Sequence, residues 1–202
     1  DAMHYVGGIT LHDVINNKFA KKAVEKGADG LIAVAAGAGG HAGRLSPFPL
    51  ISEIRRWYNG PLALSGAIAS GDAVLAAQAM GADFGYIGSA FIATKEARAD
   101  ELYKQMIVDS EADDIIYSNL FTGVHGNYLA PSVKAAGMDP NNLPEGDIST
   151  MNFGDWDKKP KAWKEIWGCG QGIGSVTDIL NVEDLVLRLE VEYLKAKTRI
   201  SV

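Results

Sequence analysis

The sequence predicts an α/β chain in which short parallel strands alternate with helices, and three observations predict it. Short apolar runs followed by helical apolar spacing recur four times within residues 1–98, the pattern of βα units around a parallel sheet. The tripeptide Gly-Ala-Asp occurs at Gly27-Ala28-Asp29 and again at Gly81-Ala82-Asp83, 54 positions apart, which is two units of about 27 residues and suits a (β/α)8 barrel. Glycine-rich loops follow the strands, where such folds carry their chemistry.

The first strand lies within Val6 to Val14. Asn16 and Asn17 offer N-caps for a helix with Phe19, Ala20, Ala23 and Val24 on its apolar face, and Gly27 stops it. The second strand is Gly30 to Val34, followed by a helix from about Pro47 that carries Leu50, Ile51, Ile54, Trp57 and Tyr58. Leu62 to Ser65 and Phe84 to Ile87 are the third and fourth strands, with a short helix of Val74, Leu75, Ala77 and Ala79 between them. Asp29 and Asp83 read as parts of a helix stop and turn. Residues 99–202 read as a helical and loop extension: a helix over Asp100 to Val108, another after Asn127 with Leu129, Val133 and Ala136, an irregular excursion over Gly137 to Lys161, and a packing helix over Val182 to Lys197.

Composition narrows the function. At 202 residues and 47% hydrophobic content the chain can build one substantial core. A formal charge of −6 without a Lys/Arg stripe argues against nucleic acid as a partner. No apolar run approaches the roughly 18 residues of a membrane span, so the expected setting is cytoplasmic. Cys169 is the sole cysteine and the four histidines show no i,i+4 ligand spacing, so neither a disulfide nor a metal site is expected.

The loop Ala35 to Gly43 contains Gly37, Gly39, Gly40 and Gly43 around one imidazole, His41, directly after the second strand. Glycine permits close approach of backbone to a ligand, and an imidazole can accept or hold a proton near neutral pH. After the third and fourth strands come Gly66-Ala67-Ile68 and Gly88-Ser89. Paired loops of this kind bring backbone N–H groups together for a phosphate, and Ser89 can add a hydroxyl. His12 could point into a barrel mouth, while His125 is structural or at the rim. In Gly168-Cys169-Gly170-Gln171-Gly172-Ile173-Gly174 the glycines suit a backbone packed on something planar or on another loop. Gln171 is the only long polar side chain there, and nothing nearby activates Cys169. Trp57, Trp163 and Trp167 read as packing residues.

Taken in order, Gly27-Ala28-Asp29, Ala38-Gly39-Gly40-His41, Gly66-Ala67-Ile68, Gly88-Ser89-Ala90-Phe91 and Gly170-Gln171-Gly172 resemble the nitronate monooxygenases, formerly 2-nitropropane dioxygenases, which are FMN-dependent TIM barrels. The resemblance covers most of the chain, and Ala-Gly-Gly-His is its most specific element. It implies His41 as the catalytic residue, Gly40 and its neighbour Gly39 at the flavin, Gly66, Ala67, Gly88 and Ser89 at the phosphate, and Tyr86 and Ile87 supplying backbone near the flavin. Gln171 joins the cofactor-binding set. It further implies FMN as cofactor, an alkyl nitronate or nitroalkane as substrate, and O2 as the oxidant that reoxidises the flavin while a carbonyl product forms.

Because an FMN barrel places its phosphate after strands seven and eight, the resemblance makes residues 1–98 strands 5–8 of the TIM (β/α)8 barrel, its C-terminal half, with 99–202 packing on it. Strands one to four would come from an absent N-terminal half or a second chain, which leaves a homo-oligomer open. Members often carry Gln where Val34 stands, Glu where Gly37 stands, a second Gly at Ala67 and Thr-Arg at Ser89-Ala90, departures that bear on substrate more than on fold. The alternatives are a related FMN-dependent enoyl-thioester reductase using NAD(P)H, which shares a Gly-Gly-His loop, and a non-catalytic flavin-binding protein.

Overall fold

A computed structural model describes residues 2–146 and 164–201. After a short helix α1 (Ala2–Tyr5), four parallel strands and their helices follow in sequence: β1 (Leu11–Val14), α2 (Asn17–Glu25), β2 (Gly30–Val34), then β3 (Gly40–His41) within the first glycine loop, α3 (Pro47–Arg55), β4 (Leu62–Ser65), α4 (Gly71–Met80) and β5 (Phe84–Tyr86). Strands β1, β2, β4 and β5 lie side by side in that order, all parallel. The first strand occupies only the C-terminal part of the span Val6 to Val14.

Register decides which residues face the helices. Leu31 pairs with Leu62 and Ala33 with Leu64, and these four are buried with Ala20, Ala23, Leu50, Ile51, Ile54 and Ala77 of α2, α3 and α4 in one core. The opposite face carries Asp13, Ile32, Ala63 and Phe84 in one row and Val34, Ser65 and Tyr86 in the next. Phe84 and Tyr86 remain 58% and 54% exposed there. His12 pairs with Leu31 and therefore shares the helix side, which corrects its expected place in a barrel mouth: a shift of one residue along a strand exchanges faces. Its Nδ1 lies 2.8 Å from the Asp13 carbonyl.

The echo of Gly-Ala-Asp is a repeated junction. Gly27 and Gly81 both take positive φ, 94° and 109°, where a Cβ is disfavoured. The next amides, Ala28 and Ala82, donate back to Ala23 and Ala77. Asp29 N–H donates to the Thr10 carbonyl while its carboxylate accepts the Thr10 N–H at 2.6 Å, and Asp83 repeats this with Leu62, accepting its N–H at 2.8 Å. Each aspartate thus clasps the start of the neighbouring strand. His4 adds to Asp29 at 2.7 Å and Arg55 to Asp83 at 2.6 Å.

Beyond α5 (Ser89–Ile92) and α6 (Glu101–Val108) the extension departs from the helix-and-loop expectation. It contains an antiparallel pair, β6 (Ile115–Ser118) and β7 (Gly126–Leu129), and β7 also pairs with β3, giving the order β3-β7-β6. The helix expected after Asn127 is α7 (Ala130–Ala135); Pro131 sits in its first turn and Leu129 belongs to the strand. Thr122 to Asn127, which resembles a helix start, instead leads through a turn into β7. The pairing is hidden in the sequence because strands of four residues with mixed polarity lack a period long enough to separate from helix. Helix α8 (Val182–Ile200) packs on α4, and the Gly71 N–H donates to Glu192 at 2.8 Å. Residues 147–161 of the expected excursion, and Trp163, lie outside the described residues.

Burial pushes the Asp83 carboxyl upward, but the Leu62 N–H and the Arg55 guanidinium outweigh it and hold the group below its ordinary value. A depressed carboxylate stabilises above its unfolded value and loses that contribution as pH falls through the folded one. Asp83 is half exposed, so the effect is modest. Asp83→Asn is expected to cost about 1 kcal/mol at pH 7, with the gap between variant and parent closing as pH drops below about 4; thermal melts across pH measure it.

Candidate active site

The glycine loops converge on one cleft of about 290 Å3 at the C-terminal ends of β2, β4 and β5. Gly39 and Gly40 form part of its wall from the first loop, Gly66 and Ala67 from the second, and Tyr86, Gly88 and Ser89 from the third. Ile68, Ala69, Tyr103, Gly168 and Gly170 also line it. Ile87, Gln171 and His41 are not among the lining residues. Ile87 is partly buried against two clusters of core residues. His41 stands next to Gly40 on β3 and is exposed.

The cleft wall is built by backbones in contact. A Cβ on Gly39 would sit 2.9 Å from the Gly170 nitrogen, and one on Gly172 would sit 2.7 Å from the Ala67 carbonyl. Of the two partners open to the string Gly168 to Gly174, a planar group or another loop, the structure shows the loops. The Gly37 carbonyl accepts N–H groups from both Ala67 and Gln171, at 3.2 and 2.9 Å, and Gln171 opens a short 3-10 turn (Gln171–Ser175). The Gln171 side chain folds over Gly37, where a residue-37 Cβ would meet its Oε1 at 2.8 Å.

Ser89 has a structural engagement that its sequence position does not reveal: its Oγ accepts the Gly170 N–H at 2.9 Å. Cys169 is fully buried beside it, and burial pushes its thiol up to about 11 despite the Ser89 hydroxyl and the Gly170 N–H, which agrees with an unreactive cysteine. Tyr103, which the sequence marks only as part of a helix, reaches the cleft; its hydroxyl donates to the Gly168 carbonyl and its ring stacks on Trp167 with centroids 4.8 Å apart. Burial, and after it the charge of Cys169, raises its phenol far above the ordinary range.

His41 is held from the second sheet. It pairs with Gly126 across β3 and β7, and its Nε2 lies 2.8 Å from the Thr122 hydroxyl. Asn127, which is 2% exposed, pairs with Gly40, donates from its side chain to the Ala38 carbonyl at 2.7 Å and accepts the Cys169 N–H on its own carbonyl. His125 stacks on Tyr117 at 5.0 Å. The roles of Thr122 and Asn127 escape a reading of the sequence because both act through contacts more than 80 residues away.

A sequence profile of nitronate monooxygenases matches residues 2–192. The chain belongs to the nitronate monooxygenase family. Its relatives include the nitronate monooxygenase of Paraburkholderia phytofirmans, 28% identical over 141 residues, covering 65% of this chain and 38% of that protein. A probable nitronate monooxygenase of Staphylococcus haemolyticus is 30% identical over 125 residues, 56% of this chain and 33% of that one. The matched stretches thus cover less than half the length of these relatives. Among solved structures, nitroalkane oxidase from Streptomyces ansochromogenes superposes with a TM-score of 0.74 at 26% identity, over 98% of this chain and 61% of that one. FabK from Thermotoga maritima gives 0.76 at 20% identity, over 98% and 65%, a likeness of fold. Among the described residues no helix is long and apolar enough to cross a membrane.

Ala67 is the one non-glycine with positive φ, 55°, among the described residues, at a position where the family resemblance implies glycine. The left-handed region costs a residue with a Cβ about 1–2 kcal/mol. Ala67→Gly is therefore expected to stabilise the protein by about 1 kcal/mol after the extra unfolded-state entropy of glycine, raising Tm by about 2–4 °C in a melt.

Proposed function

We propose that this chain is the C-terminal half, strands 5–8 with the extension, of an FMN-dependent TIM barrel that oxidises alkyl nitronates or nitroalkanes with O2 to carbonyl products. The observation that carries the reading is the convergence of the Gly66-Ala67 and Gly88-Ser89 loops on the same cleft that Gly39 and Gly40 line, next to His41. The half-barrel reading is supported by the outer strands of the sheet: parallel sheets bury both faces, whereas Phe84 and Tyr86 of β5, and Leu11 of β1 at 43%, are exposed. Strands supplied by an N-terminal half of the same protein, or by a second copy, would cover them.

The residues present fit a flavin phosphate. The first N–H groups of α5 have no intrahelical acceptor, the Gly88 backbone stands in open space with nothing within 4 Å of a built Cβ, and the small side chains of the cleft admit close approach. Gly66, Ala67, Gly88 and Ser89 would hold the phosphate, with Tyr86 and Ile87 supplying backbone nearby and Gly39, Gly40 and Gln171 toward the ring. Bound FMN supplies the electron acceptance and the transfer to O2. His41 takes the proton from the α-carbon of a neutral nitroalkane or holds the anionic nitronate beside the cleft.

The absorbance spectrum of the purified intact protein tests the cofactor, with a flavin band expected. Aerobic turnover of nitronates is expected, and oxidation of NADH by an enoyl thioester without O2 would replace this reading by the reductase. Bound flavin silent toward both substrates would indicate a binding protein. His41→Asn should retain FMN while lowering turnover of neutral nitroalkanes by about 10²–10⁴-fold; unchanged rates on neutral and anionic substrates would remove His41 from the chemistry. Gly88→Leu places its side chain in open space, so it should leave the melting transition in place and abolish flavin retention.

A further inference from the structure

The loop Gly66 to Ser70 runs from the end of β4 to the start of α4, and Gly66, Ala67, Ile68 and Ala69 of it line the cleft. Its conformation needs outside support: Gly66 and Ala67 both take positive φ, 138° and 55°, the second at a cost for a residue with a Cβ. At the cleft wall the Ala67 N–H donates to the Gly37 carbonyl. The far end of the loop is held from α8, 119 and 121 residues further along the chain. The Arg188 guanidinium donates from Nη2 to the Ala69 carbonyl at 3.1 Å, and the Glu192 carboxylate accepts the Gly71 N–H at 2.8 Å. Arg188 and Glu192 stand one helical turn apart on one face and form an ion pair at 3.5 Å, with only 22% and 31% of their side chains exposed. Arg188 Nε is buried with no hydrogen bond of its own among the described residues, so the Ala69 carbonyl and the Glu192 charge are what hold the guanidinium. A Cβ on Gly71 would overlap the Leu189 carbonyl and the Tyr193 nitrogen, so the backbones of α4 and α8 meet directly at this point.

We infer that Arg188 and Glu192 are positioning residues of the cleft: neither lines it, yet together they fix the end of the Gly66 to Ser70 loop and so the level at which that loop meets a phosphate. That the ligand is a flavin phosphate rests on the proposed function; the hold on the loop does not. The pair matches two groups of opposite kind, a donor for a buried residue's carbonyl and an acceptor for an N–H that has none within its own helix. Hydrogen bonds to charged groups are the stronger class, so removing either side chain releases the loop end. The release is local. Other contacts keep α8 on α4, since the Tyr193 hydroxyl donates to Gln78 at 2.7 Å and Arg199 pairs with Asp72 at 2.5 Å. Because the loop is assigned to the phosphate rather than to the ring, its loosening weakens FMN and spares riboflavin, which has the same ring and no phosphate.

The test measures two quantities on the intact, flavin-free protein: amide hydrogen exchange of the segment 66–71, and the dissociation constants of FMN and of riboflavin. Arg188→Met removes the donors and keeps much of the side-chain length. It is expected to speed exchange in 66–71 by about tenfold with β2 and β4 unchanged, and to raise the FMN constant by about tenfold while riboflavin stays within about twofold. Arg188→Lys, which keeps a charged donor, should recover part of both shifts, and Glu190→Ala on the exposed face of α8 should shift neither. Glu192→Leu leaves the Gly71 N–H without its acceptor and should act as Arg188→Met does, so it decides if Arg188→Met does not fold. Parental exchange in 66–71 in the variant protein overturns the hold on the loop. Faster exchange with FMN and riboflavin weakened by the same factor, or with FMN unaffected, overturns the role of the pair toward the phosphate. Wild type that binds neither flavin overturns the functional reading alone, since the exchange reports on Arg188 and Glu192 without a ligand.

Discussion

The buried amide of Asn127 is the contact on which the candidate site depends. Two stretches of chain distant from it in sequence meet at this residue: the loop Ala38 to Gly40, through the side-chain N–H to Ala38 and strand pairing with Gly40, and Cys169, through the backbone carbonyl. Each of these stretches walls the cleft or adjoins a residue that does. A carbonyl left without a donor in such a place costs about 1–3 kcal/mol, so the position of the glycine loop relative to β7 is tightly held. The loop needs that external hold. Its glycines confer close approach but no rigidity of their own, and an imidazole on an unrestrained loop would have no defined relation to a ligand.

The parallel sheet works by a different rule, repetition. Asp29 and Asp83 each exchange two hydrogen bonds with a residue at the start of the neighbouring strand, and each follows a left-handed glycine that ends a helix. This sets the stagger of β1 against β2 and of β4 against β5, and the loops after β2, β4 and β5 line one cleft. Among the described residues β1 and β5 are the outer strands of this sheet, and the apolar side chains Phe84 and Tyr86 of β5 are exposed.

Local signals are legible for βα units because each carries a strand-length apolar run, a helical face and a glycine stop in immediate succession. Gly30 to Val34 and Leu62 to Ser65 are strands at the bounds read from sequence, and α3 buries Leu50, Ile51 and Ile54 as its periodicity requires. The extension is less legible. Its strands β6 and β7 are short, and what makes them strands is pairing with each other and with β3 rather than any alternation of their own. The order of the loops along the chain is enough to nominate Gly39, Gly40, Gly66, Ala67, Gly88 and Ser89 together, since strand ends of one parallel sheet must emerge on one side.

The sequence by itself determined the α/β class, the four strands and their order, the glycine loops at strand ends and the family resemblance, because all of these are written in contiguous residues and in spacings of a few tens. Only the tertiary structure decided that His12 faces the helices, that the Ser89 hydroxyl receives the Gly170 N–H, that Tyr103 reaches the cleft, and that Thr122 and Asn127 hold the His41 loop. Those facts depend on register and on contacts between residues as many as 89 positions apart, and neither leaves a local trace: a one-residue slip exchanges sheet faces, and a hydroxyl or an amide acquires a role only from the partner that folding brings to it.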